Sequence, residues 1–384
     1  MPGRRVSISF ARRALISATI TFLAGPPALA ESPSRLPEPA QVRVDFSATA
    51  ITAHSATGEA GVVGRPVTIN DPARVASISK LVGALAVMRL VDQRRIDLDR
   101  DINDYLGYSI RNPAFPDRKI TLRHLLAHTS GIRDNIDYLI PLDGKLATVL
   151  ANPDAWNPIH EPGDYFSYAN LNSPVIAATI EAATRERFDR IVAKQVLAPL
   201  RLDACFNWGA GCSPQRRSQA VTLLRTNGDL ARDAAIQGAD PCPVLAASDG
   251  SCDLGRYRIG ENGSSFSPQG GLRISAQGLS KIGQVLINGG RPLLSSKAFA
   301  EMTKMQWRFN GANGDDDRGY FNAYGLGVHI HQDSKGTRWI GHVGEAYALR
   351  AGLWVNPKTR RGFAQFVTMV PAETPVGHCL ETCP

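Results

Sequence analysis

Ser77 and Lys80 stand three residues apart at the start of an apolar stretch, RVASISKLVGALAVM at residues 74–88. In a helix that begins at Ser77 the two side chains share a face, and a desolvated, neutral lysine can accept the serine proton. The N-terminus of such a helix also offers backbone N–H groups to an oxyanion. Serine is equally a common helix N-cap, so the spacing alone makes nucleophilic catalysis a hypothesis.

Two further short patterns supply partners that a serine nucleophile needs. Tyr168-Ala169-Asn170 contributes a phenol and an amide, and His342-Val343-Gly344 contributes an imidazole two residues before a glycine. The Gly-x-Ser-x-Gly pattern does not occur in the sequence, which disfavours a triad of the α/β-hydrolase type. A second Tyr-x-Asn triplet, at 320–322, comes late in the chain and is interpreted as a loop.

Four stretches together resemble the serine β-lactamase and penicillin-binding-protein superfamily, specifically its class C-related branch of esterases and peptidases. They occur in family order and at family-like separations, and a weaker match follows at residues 268–286. The resemblance covers about residues 45–370. The four stretches are SISK at 77–80, LLAHTSGI at 125–132, FSYANLN at 166–172 and GHVGEA at 341–346.

The resemblance implies a role for each residue of the first motifs. Ser77 is expected to be the acylated nucleophile and Lys80 its general base. Tyr168 matches the tyrosine that shares proton transfer and protonates the leaving group. Asn170 is expected to orient either the substrate or Lys80.

The motif at 342–344 carries the expectation about substrate, because the family has Lys-Thr-Gly in this place. Glu345, the residue after Gly344, is expected to offer its backbone N–H as an oxyanion donor beside that of Ser77. A lysine suits a substrate carboxylate, whereas His342 with an ordinary pKa near 6.5 is mostly neutral at pH 7.5. An esterase, or a peptidase acting on D-residues, therefore fits better than a true β-lactamase. We expect this preference to shrink at lower pH, as His342 gains a proton.

The periodicity along the chain predicts a sheet, a mostly helical insert and a return to the sheet. Residues 42–54 are typical of a strand, residues 81–93 are apolar nearly all round and predict a buried helix, and strand periodicity returns at 323–369. With the resemblance, this predicts a two-lobed α/β fold of the β-lactamase/transpeptidase type, with an antiparallel sheet flanked by helices and Ser77 in the cleft between the lobes. The predicted bounds are 41–76 and 267–375 for the α/β lobe and about 77–266 for the helical insert.

Three local expectations accompany this fold. Residues 55–64 leave little room for a second full strand, so the N-terminal hairpin is expected to be abbreviated. The stretch LLAHTSGI is expected to be structural, a helix closed by Gly131 with His128 as hydrogen-bonded scaffold. The acidic triplet at 315–317 is interpreted as a solvated loop, because no later glutamate completes a calcium-binding pattern.

The first 30 residues have the pattern of a secretory signal peptide. An arginine-rich start precedes an apolar run of twelve residues, too short to span a bilayer, and an A-x-A cleavage signal ends before Glu31. The protein is therefore expected to be secreted or periplasmic. A Pro-rich, loose arm is expected at 31–40, before the main domain at 41–375, and a C-terminal tail at 376–384.

The charge and the cysteines narrow the class of protein further. The formal charge of +8 falls to about +4 without the four arginines of the signal segment, and the remaining arginines are scattered, which argues against nucleic-acid binding. The six cysteines form three short-range couples, which favour disulfides in an oxidising compartment over a zinc site, although six cysteines allow 15 connectivities. The simplest pairing is Cys205–Cys212, Cys242–Cys252 and Cys379–Cys383.

Together these patterns predict an exported serine hydrolase that acts through an acyl-enzyme on a carboxylic ester or a D-residue amide, without metal or cofactor. Its partner is then a small-molecule ester or peptide-like substrate, with no nucleic acid and no stable membrane insertion. Two alternatives stay open: a β-lactamase or cell-wall D-Ala-D-Ala carboxypeptidase, and a non-catalytic binding protein on the same scaffold. The presence of every catalytic side chain weakens the last of these.

Overall fold

An eight-stranded antiparallel sheet is the largest element of the computed structural model, which describes residues 35–232, 242–317, 319–332 and 336–374. The strands are Gln41–Ser47 (β1), Ile51–Thr57 (β2), Ala73–Arg74 (β3), Cys205–Phe206 (β4), Leu223–Leu224 (β5), Leu230–Arg232 (β6), Leu272–Ile274 (β7), Trp307–Arg308 (β8), Ala323–Tyr324 (β9), His329–Gln332 (β10), Arg338–Ala346 (β11), Leu349–Asn356 (β12) and Arg361–Val367 (β13). The large sheet has the order β2-β1-β13-β12-β11-β10-β9-β8, and β3-β7-β4 and β5-β6 form two small sheets. The sheet therefore joins the two ends of the described chain.

The helices lie between β3 and β8 in the chain and are joined by turns, loops and short strands. They are Ile78–Asp92 (α1), Asn103–Leu106 (α2), Leu122–Leu126 (α3), Leu146–Leu150 (α4), Asn172–Thr184 (α5), Phe188–Val192 (α6), Pro214–Ser218 (α7), Ala276–Ile287 (α8) and Ser296–Thr303 (α9). Within the described ranges, each helix is too short or too polar to span a membrane. The expected mixed α/β fold, with a large antiparallel sheet and helices, is confirmed.

The N-terminal hairpin is complete, and the expectation of an abbreviated one is wrong. Residues 42–54, interpreted as one strand, contain most of both β1 and the seven-residue β2, which pair with each other. The chain reverses at residues 48–50, where the Ser47 backbone N–H donates to the Ala50 carbonyl at 2.8 Å. Because β2 is a largely exposed edge strand, it lacks the apolar alternation that marks β1.

The segment before the sheet is anchored, which corrects the expectation of a loose arm for the part that the structure describes. Glu38 and Glu59 exchange hydrogen bonds, and the buried Ala40 donates its N–H to the Thr368 hydroxyl at 2.8 Å. The expected signal peptide and the expected tail at 376–384 lie outside the described residues.

Two of the three expected disulfides are present. Cys205–Cys212 and Cys242–Cys252 are bonded, with Cα–Cα distances of 5.2 Å and 5.7 Å. The first closes a short excursion after β4, where Trp208 packs against it. The expected pair Cys379–Cys383 lies outside the described residues.

Helix α1 passes through the core, and its sequence explains why. Its residues from Ile78 to Met88 are all buried, as the apolar composition on every face of the helix predicts. Lys80 lies within this run and is only 7 % exposed. The fold therefore places a lysine amine in a desolvated position one turn after Ser77.

A second buried ionisable group, Glu181 on α5, joins three segments of the helical region. Its carboxylate accepts hydrogen bonds from the Phe188 N–H at 2.8 Å, the Gly260 N–H at 3.0 Å and the Tyr257 hydroxyl at 2.7 Å. Burial raises the pKa of Glu181 to about 7 in spite of these donors, because the ionised form loses its hydration.

We predict that Glu181→Gln removes a pH dependence of stability. Because the folded-state pKa lies above the ordinary value of 4.5, the stabilisation is complete below that pH and is lost as the pH rises through about 7. The free energy of unfolding of the wild type, relative to that of the variant, should fall by on the order of 3 kcal/mol between pH 4.5 and pH 8. Urea unfolding of both proteins across this range measures the difference, and a constant difference would contradict the account.

Candidate active site

Ser77 immediately precedes α1, and its side chain does not cap the helix. It makes no side-chain capping hydrogen bond, and its Oγ lies 3.0 Å from Lys80 Nζ. Ala76 before it has a φ of 47°, a left-handed conformation that residues other than glycine rarely adopt. This turn from β3 into α1 presents Ser77 to a cleft. The geometry argues against the alternative of Ser77 as a simple helix cap.

The Lys80 amine lies at the centre of the site. Its Nζ is 3.0 Å from Ser77 Oγ, 2.8 Å from Asn170 Oδ1 and 3.1 Å from the Gln269 carbonyl oxygen. Burial lowers the pKa of Lys80 from 10.5 to about 7, while the negative charge of Asp134 acts in the opposite direction. A substantial fraction of the amine is therefore neutral near pH 7 and able to accept the Ser77 proton.

Tyr168 contacts Ser77 from another side. The Ser77 side chain is close enough to the Tyr168 hydroxyl to lower the pKa of the phenol, against the larger effect of burial. The Tyr168 ring stacks on the rings of His128 and Phe321, with centroid-to-centroid distances of 4.4 Å and 5.1 Å. Lys80 Nζ lies 4.8 Å from the centroid of the Tyr168 ring. Burial raises the pKa of the Tyr168 phenol well above its ordinary value. Tyr168 therefore keeps its proton and is suited to donate it to a leaving group.

His128 supports the segment that carries Tyr168 and Asn170. Its Nδ1 accepts the Ala169 N–H at 3.2 Å and lies 3.1 Å from Asn172 Nδ2. Burial holds the pKa of His128 well below its usual value, so the ring is neutral. The expected role of His128 as a hydrogen-bonded scaffold is confirmed. The expectation of a helix closed by Gly131 is wrong, because α3 ends at Leu126 and His128 itself adopts the left-handed conformation after it, with a φ of 56°.

Asp134 is a site residue that the sequence patterns do not reveal. Its Oδ2 accepts the backbone N–H of Asn170 at 2.7 Å and the Asn170 side-chain amide at 2.9 Å. Its Oδ1 accepts the Leu171 N–H at 3.0 Å. Asp134 follows the LLAHTSGI stretch by two residues, in a loop where no periodicity or motif spacing marks it.

His342 lies close to the site, but it is buried behind it. Val343 rather than His342 lines the cleft, and His342 is 1 % exposed. Its Nε2 is 2.7 Å from the Tyr324 hydroxyl and its Nδ1 is 2.6 Å from the Val343 carbonyl oxygen. Burial, with the charge of Lys80, lowers the pKa of His342 to about 3. The expectation that mild acid protonates His342 is therefore wrong, because it assumed a solvated imidazole.

Strand β11 passes very close to the turn that carries Ser77. A Cβ atom at Gly344 would lie 2.1 Å from the Val75 carbonyl oxygen, so only glycine fits there. The next residue, Glu345, lines the cleft, and its carboxylate pairs with Arg350. The approach brings the backbone after Gly344 beside Ser77, and the two oxyanion donors stay a prediction.

We predict that Gly344→Ala destabilises the protein by about 1–3 kcal/mol, because β11 must move away from the Ser77 turn. The rate of serine labelling by a fluorophosphonate should fall about tenfold or more in the folded variant. Gly83→Ala in α1 is the matched control, since a Cβ atom there would meet Phe188 at an ordinary 3.7 Å. Thermal unfolding and labelling rates are measured for both variants. Equal behaviour of the two would contradict the close approach.

The site opens into a cleft of about 420 Å³. The triplet at 320–322 precedes β9 in a loop, as interpreted, but Tyr320 and Phe321 also line this cleft. Arg74 is the basic side chain in the lining, and it donates to Asn207 Oδ1 and Ser267 Oγ. Within the described ranges, no three His, Cys, Asp or Glu side chains form a group that could hold a metal ion.

The acidic triplet at 315–317 lies in a largely exposed loop, as interpreted, and it also contacts the segment before Tyr168. Asp315 accepts hydrogen bonds from the Tyr165 hydroxyl at 2.8 Å and the Ser167 hydroxyl at 2.9 Å. Asp317 lines the cleft. The triplet therefore borders the segment that leads into Tyr168.

The antiparallel sheet and the Ser-Lys pair at the start of a buried helix define a serine hydrolase of the β-lactamase/transpeptidase fold. The chain belongs to the Beta-lactamase family, whose model matches residues 48–377. The superfamily and the enzyme class expected from the sequence are thereby confirmed.

Three proteins similar to this chain are each distant from it in sequence. Protein flp of Staphylococcus aureus (strain N315) is 27% identical over 131 residues, which are 33% of this chain and 26% of that protein, so the match spans about a quarter of the curated relative. A D-stereospecific amidohydrolase from Streptomyces sp. is similar in structure, with a TM-score of 0.61, 22% identity, and coverage of 86% of this chain and 89% of that one. The D-amino acid amidase from Ochrobactrum anthropi SV3, complexed with D-phenylalanine, gives a TM-score of 0.62, 18% identity, and coverage of 87% and 88%. At such identities the likeness to the solved structures shows the fold.

Proposed function

We propose that the protein hydrolyses a carboxylic ester or a D-residue amide through an acyl-enzyme formed on Ser77. The observation that carries the proposal is the buried amine of Lys80, which lies 3.0 Å from Ser77 Oγ. A lysine whose pKa is lowered to about 7 is a base matched to neutral pH.

In the acylation step, Lys80 Nζ takes the proton of the Ser77 hydroxyl while Oγ attacks the substrate carbonyl carbon. The negative charge that develops on the carbonyl oxygen is stabilised by the backbone N–H groups of Ser77 and Glu345. Collapse of this intermediate breaks the bond to the leaving group, which receives a proton from Tyr168. The Tyr168 oxygen then recovers a proton from Lys80.

Deacylation repeats these transfers with water in place of the Ser77 hydroxyl. Lys80 accepts a proton from the water as its oxygen attacks the acyl carbon, and the Ser77 oxygen leaves as a hydroxyl. The carboxylic acid product departs, and the site returns to its starting protonation state. Every proton moves among groups within contact of Ser77.

The preference for an ester or amide over a β-lactam is supported by the electrostatics of the cleft. The buried His342 is neutral and both of its ring nitrogens have protein partners, so it brings no charge to a substrate carboxylate. The names of two structural neighbours, a D-stereospecific amidohydrolase and a D-amino acid amidase, support the D-residue amide.

A β-lactamase or a D-Ala-D-Ala carboxypeptidase is the second candidate, and Arg74 is the observation that favours it. Its guanidinium lines the cleft three residues before Ser77, where it brings a positive charge to the lining. We further propose a secreted or periplasmic location, which the two disulfides support because such bonds persist in oxidising compartments.

The test of the proposal is labelling with a fluorophosphonate, followed by intact-mass measurement and peptide mapping. We predict one adduct on Ser77 that is absent from Ser77→Ala. Labelling of Lys80→Ala should be slower than that of the wild type by about 100-fold or by a larger factor, because the base is gone. In the wild type the labelling rate should rise as the pH rises through about 7. An adduct on another serine, or none, would contradict the acyl-enzyme and favour a binding protein on this scaffold.

Substrate preference gives a separate prediction. A short-chain nitrophenyl ester should be hydrolysed with a higher kcat/KM than a chromogenic cephalosporin at pH 7.5. Because His342 stays neutral, the ratio should not move toward the cephalosporin between pH 8 and pH 5. Faster hydrolysis of the cephalosporin would make the second candidate the correct one, with Arg74→Gln as the variant that tests whether its charge is responsible.

A further inference from the structure

The carboxylate of the exposed Asp134 is hydrogen-bonded to the segment that follows Tyr168. Both carboxylate oxygens accept hydrogen bonds from the residues just after Tyr168: the backbone and side-chain N–H groups of Asn170, and the N–H of Leu171. Asp134 and Asn170 are 36 positions apart in the sequence. We propose that Asp134 is a positioning residue, which clamps Asn170 so that the amide oxygen of Asn170 faces Lys80.

The chemistry of the amide makes this clamp necessary. An asparagine side chain ends in an acceptor oxygen and a donor NH₂ of nearly equal size, and rotation of the amide plane by half a turn exchanges them. With the NH₂ held 2.9 Å from the Asp134 carboxylate, the oxygen lies 2.8 Å from Lys80 Nζ. The exchanged orientation would place a donor against the lysine amine and the amide oxygen against the carboxylate. Asp134 therefore selects the orientation that holds Lys80 beside Ser77.

The charge of Asp134 also reaches Lys80. The groups that face the Lys80 amine are Asp134, Tyr168, His128 and His342. Burial keeps the phenol and the two imidazoles neutral, so Asp134 is the member that brings a negative charge. That charge favours the protonated lysine and partly offsets the effect of burial. Removal of the charge should therefore move the titration of Lys80 to lower pH.

This inference rests on the proposed function, and Asp134→Asn tests it. Asparagine keeps the size of the side chain, but one of its two ends becomes a donor, so at least one of the three hydrogen bonds is lost. Asp137→Asn is the matched control: it removes the same charge from the same loop, and its one oxygen can still accept the Leu139 N–H, as Asp137 does at 2.8 Å.

The first measurement is the pH profile of the fluorophosphonate labelling rate for the wild type and both variants. In Asp134→Asn, we expect a plateau about tenfold lower, as for the loss of a hydrogen bond to a charged group, and a rise with pH that begins at lower pH. Asp137→Asn should match the wild type in both respects. A lower plateau without a shift in the pH profile would mark a merely structural role and overturn the proposal.

The second measurement does not depend on activity. Crystal structures at a resolution that distinguishes amide oxygen from nitrogen, of the wild type and of Asp134→Ala, which lacks all three acceptor contacts, should show the Asn170 amide oxygen in contact with Lys80 Nζ in the first protein and turned away in the second. An unchanged contact in the variant would overturn the clamp. A wild-type protein that forms no adduct would refute the proposed function, while the crystal structures would still decide whether Asp134 holds Asn170.

Discussion

The burial of the Lys80 amine, away from water, is the constraint on which the rest of the site depends. Lysine is a poor base at neutral pH when it is solvated, because nearly every molecule carries the proton. Helix α1 is apolar on all faces and runs through the core, so Lys80 on its first turn is desolvated by the packing of the fold itself. In the proposed function, the reactivity of Ser77 and of its base Lys80 therefore depends first on the burial of this helix.

The other parts of the site maintain this arrangement from distant places in the sequence. Asn170 and the Gln269 carbonyl hold the amine, His128 supports the segment of Tyr168, and β11 brings a strand edge against the Ser77 turn. Each comes from a different element. The large sheet and the helical region must therefore pack correctly before the site exists.

The sequence predicts the parts of this structure that follow from motif spacing and from periodicity. Ser77, Lys80, Tyr168 and Asn170 are marked by their motifs, and α1 and the closing strands by their apolar patterns. Sequence periodicity does not predict β2 as a separate strand, because an exposed edge strand needs no apolar alternation. The burial of His342 is not predictable either, because the residue type alone does not show whether a histidine lies in solvent or in the core.

Asp134 and Glu181 show why the remainder is beyond sequence patterns. Each matters through backbone N–H groups that tertiary structure brings to its carboxylate, and those donors leave no trace in the spacing of side chains. The cleft likewise includes Arg74 and Phe321 from opposite ends of the domain. Such residues become visible only when the packed elements are seen together.

The most direct measurement of the central claim is the pKa of Lys80 in the wild-type protein. The chain has nine lysines, so carbon NMR of protein labelled with ¹³C at the lysine Cε gives few signals, and that of Lys80 is identified by its absence from Lys80→Ala. Burial of the amine predicts a titration near pH 7. A titration near the ordinary value of 10.5 would contradict the account, because Lys80 would then be protonated when Ser77 has to react.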